Sequence, residues 1–159
     1  MKYSDYRKNI NSGDILVWKH RAGWLSSWYD FKVNLVKFFT KSEYTHVAVA
    51  WVVGERVMII ESVVPLIRIN PLSNDLPCFV IPGDGLSEEQ LAKALELVGK
   101  GEYSMSECML AFLGDNDRLN NEWECAEFTS YILGLECVDT PAKVVEYLLS
   151  KGKTLVELT

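Results

Sequence analysis

Ser42-Glu43-Tyr44-Thr45-His46-Val47-Ala48-Val49-Ala50-Trp51-Val52-Val53-Gly54-Glu55-Arg56-Val57-Met58-Ile59-Ile60-Glu61-Ser62 is the stretch whose reading decides the fold. Thr45 to Val53 and Val57 to Val64 are rich in β-branched and aromatic residues, and Gly54-Glu55 between them suits a two-residue turn with Gly at its first central position. If Val53 faces Arg56 across that turn, antiparallel pairing sets His46 opposite Val63 and Ala48 opposite Glu61. His46 and Glu61 then share a face as diagonal neighbours about 7–8 Å apart. A loop with an odd number of residues sends Glu61 to the other face.

A histidine and a carboxylate on one face of otherwise apolar strands form the kind of pair that orients a general base. The same residues also read as a partly buried histidine bonded to backbone and a glutamate marking a solvent face. Local sequence leaves both readings open.

Composition limits what such a pair serves. A chain of 159 residues, 48% hydrophobic and 24% charged, is expected to form one globular domain over 1–159, with its core over 12–149. The longest apolar run, Val47 to Val53, falls far short of the roughly 18–20 residues that cross a bilayer. Met1-Lys2-Tyr3-Ser4-Asp5-Tyr6 has no apolar signal core, so the expectation is a cytoplasmic protein with no transmembrane segment. A formal charge of -6 argues against nucleic acid as a partner, since phosphate binding wants a basic stripe. Cys78, Cys108, Cys125 and Cys137 show no C-x-x-C spacing and only two histidines accompany them, so no metal and no cofactor is expected. Disulfides are not expected without an export signal.

Ahead of the hairpin, a polar and loose N-terminus gives way to the turn Ser12-Gly13-Asp14 and a short strand, Ile15-Leu16-Val17-Trp18. Trp24, Trp28, Phe31, Leu35, Phe38 and Phe39 recur at mostly three- and four-residue spacing, which predicts an amphipathic helix. Its stripe reads as core or, with Lys32, Lys37 and Lys41 nearby, as a lipid-contacting lid. His20, among basic residues, reads as solvated.

Beyond the hairpin, Leu66-Ile67-Arg68-Ile69 and Pro77-Cys78-Phe79-Val80-Ile81-Pro82 read as strands. Ser87 with Gln90 forms a capping-box signature ahead of Leu91, Ala94, Leu95 and Val98, so a helix starts there. Tyr103 to Leu113 reads as a further short helix, Pro141 to Leu149 as another, and Thr154 to Leu158 as a terminal strand.

Asn120-Asn121-Glu122-Trp123-Glu124-Cys125-Ala126-Glu127-Phe128-Thr129-Ser130-Tyr131-Ile132-Leu133-Gly134 predicts a helix capped by Asn121 and stopped by Gly134. Cys125 then lies near its first turn, where the positive end of the helix dipole and a nearby imidazole favour a thiolate. Glu122, Glu124 and Glu127 work in the opposite sense if they point the same way. A packed structural cysteine is the other reading of this position.

Ser12-Gly13-Asp14-Ile15-Leu16, Tyr44-Thr45-His46-Val47-Ala48-Val49, Glu61-Ser62-Val63-Val64-Pro65, Gly101-Glu102-Tyr103-Ser104 and Glu124-Cys125-Ala126-Glu127-Phe128, in this order, resemble the circularly permuted branch of the NlpC-like papain-fold superfamily, in its YiiX-like family. The resemblance implies an α+β, permuted papain-like fold in which a small antiparallel or mixed sheet packs against helices. It also implies Cys125 as nucleophile, His46 as base, Glu61 as the residue orienting the histidine, and Tyr44 as a substrate-lining group.

The activity implied is that of a thiol hydrolase, an amidase or peptidase cleaving a peptide, isopeptide or peptidoglycan amide bond through an acyl-enzyme. A lipid acyltransferase or thioesterase of the lecithin:retinol acyltransferase type, acting on lipid or fatty acid, is the enzymatic alternative. Glu124 and Glu127 depart from the Asn-Cys-Glu-type helix start of that group. A non-catalytic binding module with a degenerate site is the third reading.

Overall fold

Ile15, Leu16 and Val17 show how the chain builds two packed layers. All three are fully buried, yet Ile15 and Val17 belong to one apolar cluster and Leu16 to another, because successive strand side chains leave on opposite faces. The computed structural model describes residues 1–19, 43–63, 66–100, 123–136 and 140–159. The helix read over 24–39, His20, the segment 103–113, Cys108, Cys137 and Asn121 lie outside these residues.

The sheet is formed by β1 (Ile15–Lys19), β2 (Tyr44–Val53), β3 (Arg56–Val63), β4 (Leu66–Pro71), β5 (Cys78–Ile81) and β6 (Val156–Leu158). Its order is β4-β3-β2-β1-β5-β6, and every pairing is antiparallel. The hairpin turns at Gly54-Glu55 with Val53 opposite Arg56, and Gly54 takes a φ of 59°, which a residue without Cβ adopts at no steric cost.

Among the described residues the α-helices are α1 (Tyr3–Tyr6), α2 (Glu88–Leu97), α3 (Cys125–Leu133) and α4 (Pro141–Ser150). Ser87 and Gln90 cap α2 reciprocally, and Thr140 caps α4 ahead of Pro141. Helix α3 lies against β2 and β3, with α4 beside it on β2 and α2 against its flank. Phe128 and Ile132 of α3 are buried with Ile60, Ile67 and Ala94, and burial of side chains this size stabilises by roughly 2–3 kcal/mol each. On the other face Leu16, Ala48, Ala50, Ile59 and Val80 pack with Ile10 and Leu72.

The N-terminus is not loose. Tyr3 and Tyr6 pack against that second cluster, Tyr3 N donates to Thr159 O at 2.9 Å, and Thr159 N donates to Met1 O at 2.8 Å. Polar composition hid the two tyrosines that anchor this segment. The architecture is α+β, a six-stranded antiparallel open sheet packed against helices, in line with the small antiparallel or mixed sheet that the resemblance implied.

Candidate active site

Strands β2 and β3 part at one end of the sheet. Their ladder runs from Val53 opposite Arg56 to Val49 opposite Ile60 and stops, whereas β2 stays paired with β1 as far as Tyr44, and β3 with β4 as far as Val63. The pairings expected for Ala48 with Glu61 and for His46 with Val63 are therefore not formed. Helix α3 begins where the strands separate, and Ser62 Oγ donates to Trp123 O at 2.6 Å, tying its approach to β3. His46 and Glu61 keep the phase of Ala48 and Ile59, while Cys125 packs in the cluster of Val17 and Val47 on the helix-covered face. The gap between the strands lets these groups meet.

Across that gap His46 Nε2 and Glu61 Oε2 are 2.7 Å apart. The Cys125 side chain adjoins the imidazole and interacts with it electrostatically. The structure thus brings Cys125, His46 and Glu61 together in that order. Cys125 is the first residue of α3, and its N-cap is Glu124 with extended backbone rather than Asn121. The first intrahelical bond is Phe128 N to Glu124 O at 2.8 Å, so the amides of Cys125 and Ala126 precede it at the positive end of the helix.

Burial works against the charged form of His46, but the Cys125 sulfur and then the Glu61 carboxylate outweigh it and hold the imidazolium up at about 10. The His46 side chain is 22% exposed, so the ring reaches solvent although its partners do not. Burial likewise raises Glu61, whose side chain is 4% exposed; the bond to His46, then that to Arg68, more than reverses this and keeps the carboxyl below the usual range. The arrangement thus sets a thiol at the start of a helix beside an imidazole that a buried carboxylate holds.

Two neighbours escaped the sequence reading. Arg68 stands directly opposite Glu61 on β4, with Nε and Nη2 each 2.8 Å from Oε1. Trp18 stands directly opposite His46 on β1, its ring 5.3 Å from the imidazole, and its Nε1 donates to Asp75 O at 2.6 Å. Arg68, Glu61, His46 and Trp18 thus form a row across four adjacent strands. A lone cation in the apolar run Leu66-Ile67-Arg68-Ile69 was the available signal for Arg68, but its pairing depends on the β3–β4 register.

Tyr44 is also near, by a route that simple alternation does not give. Trp18 pairs with His46 and Lys19 with Tyr44, which leaves Thr45 as an extra residue in β2. The bulge moves Tyr44 out of phase with His46. Tyr44 packs instead against the cluster containing Val47 and Cys125, edge-on to Phe79 at 6.4 Å, with Lys19 Nζ 5.4 Å above its ring.

Among the described residues, no three His, Cys, Asp or Glu side chains gather as metal ligands, and no helix is long and apolar enough to cross a membrane. No family model matches the sequence, and no curated protein matches it. A crystal structure described as metalloprotein YiiX from Escherichia coli O157:H7, DUF1105, is similar in fold, with a TM-score of 0.54 and 21% identity. The match covers 77% of this chain and 63% of that one. The chain shares a YiiX-like α+β architecture, consistent with a permuted papain-like fold.

Proposed function

We propose that this chain is a cysteine-dependent hydrolase, an amidase or peptidase acting on a peptide, isopeptide or peptidoglycan amide. The observation that carries this reading is Cys125 at the first position of α3, beside a histidine that a buried carboxylate holds. The sulfur, having given its proton to His46, attacks the carbonyl carbon, and the carbonyl π electrons move to oxygen. In this scheme the amides at the start of α3, those of Cys125 and Ala126, receive that oxyanion. When the intermediate collapses, the C–N bond breaks, His46 protonates the departing nitrogen, and the acyl group stays on sulfur. Water, deprotonated by the now neutral His46, attacks the thioester carbon; the C–S bond then breaks, the acyl group leaves as a carboxylic acid, and His46 returns the proton to the sulfur. Glu61 orients the imidazole throughout and stabilises its charged form.

Alkylation of each cysteine by iodoacetamide across pH, followed by mass spectrometry in the parent and in His46→Ala, tests the pair. Cys125 is expected to react faster than Cys78 below pH 7 and to lose that lead without His46. Equal rates for the two thiols in the parent would falsify the assignment. Cys125→Ala is expected to fold normally and to hydrolyse no amide substrate that the parent cleaves.

A further inference from the structure

We propose that Arg68 is a positioning residue of this site, holding one oxygen of Glu61 so that the other faces His46. The inference deepens the thiol–imidazole reading and rests on it. The carboxylate is divided cleanly. Nε and Nη2 of Arg68 both donate to Oε1 at 2.8 Å, and Oε2 is left to His46 Nε2 at 2.7 Å. Glu61 has a side chain 4% exposed, so it has little water to turn to, while Arg68 reaches solvent at 48%.

Among the described residues, the titratable and charged groups that face Glu61 are His46 from β2 and Arg68 from β4, with Cys125 of α3 beyond the imidazole. These two partners differ in one respect that matters for catalysis. His46 gives up its proton and regains it in each turnover, so the positive charge it offers Glu61 comes and goes. A guanidinium stays charged at every working pH. When His46 is neutral, Arg68 is the group that keeps a buried carboxylate ionised and leaves the remaining ring proton on Nε2 rather than on Glu61. Arg68 touches neither the sulfur nor the scissile bond in this scheme, and it acts through Glu61.

The test is a titration of the Glu61 carboxyl carbon by NMR in the parent, Arg68→Met and Arg68→Lys, with the His46 Nε2 proton followed in the same samples. Arg68→Met is expected to raise the Glu61 midpoint by about one pH unit, a tenfold gain in proton affinity, and to broaden the Nε2 proton signal. Arg68→Lys is expected to restore the midpoint in large part, because the charge returns, while the signal stays broad because the fork does not. An unchanged midpoint and an unchanged Nε2 signal in Arg68→Met would overturn the proposal. Should Arg68→Met not fold, an Nε2 signal in Arg68→Lys as sharp as the parent's overturns it equally. Alkylation of Cys125 in the parent is a separate readout: its failure removes the thiol–imidazole reading, whereas the Glu61 titration alone decides what Arg68 holds.

Discussion

His46 and Glu61 carry opposite pH signatures at the scale of single residues. Between about 6.5, the ordinary histidine value, and about 10, the folded chain keeps a proton on His46 that the unfolded chain releases. The stability this adds is complete below the lower value and is lost as pH rises through the upper one. Glu61 is held below the usual carboxyl range, so its contribution is present above that range and is lost as pH falls through the folded value. Urea midpoints measured against pH should decline at both ends, and His46→Ala should flatten the alkaline decline. In catalysis the ranking follows from role. His46→Ala is expected to lower turnover by roughly 10²–10⁴-fold, and Glu61→Gln by less, since it leaves a group that still hydrogen-bonds the ring. A larger loss from Glu61→Gln would reverse these assignments.

Caps decide where the helices place their side chains. Ser87 with Gln90 starts α2 as the spacing suggested, because a capping box is a local device that needs no tertiary help. Helix α3 ends at Gly134, with a φ of 67° and its amide on Ser130 O, but it begins at Cys125 rather than after Asn121. Its start is tertiary, set by the Ser62 bond to Trp123 O, and it turns a cysteine in the first turn into the first helical residue. Gly134→Ala puts a Cβ into the left-handed region and is expected to cost about 1 kcal/mol. Ser87→Ala removes the α2 cap and is expected to cost about 1 kcal/mol. Denaturant unfolding of both variants measures this, and neither should alter the alkylation lead of Cys125 in folded protein.

At the scale of the molecule, the end of the sheet away from the site is fastened by a close backbone crossing. Asp14, nearly fully buried, accepts from Asn11 N and Gly83 N, each at 2.9 Å. A Cβ on Gly83 would sit 1.9 Å from Gly13 O, a backbone atom with no freedom to swing aside. Gly83→Ala is therefore expected to destabilise by about 2–3 kcal/mol, seen as a lower urea midpoint, while the pH dependence of Cys125 alkylation in the folded fraction stays that of the parent. A midpoint equal to the parent's would show that β1 and the segment after β5 need no such contact. The sheet is thus held together at this end and opens between β2 and β3 at the other.

Sequence by itself determined the hairpin turn, seven further segments of strand or helix and the pairing candidates His46 and Glu61, because alternation, caps and turn residues act over a few neighbours, while Cys125 stood out as a candidate through the resemblance. The tertiary structure decided where the β2–β3 ladder stops, which residue begins α3, how the Thr45 bulge rephases Tyr44, and that Arg68 and Trp18 complete the row. Each of these depends on register between strands and on the helix start entering the gap between two of them. Such contacts join residues distant in the chain, and no local preference encodes them.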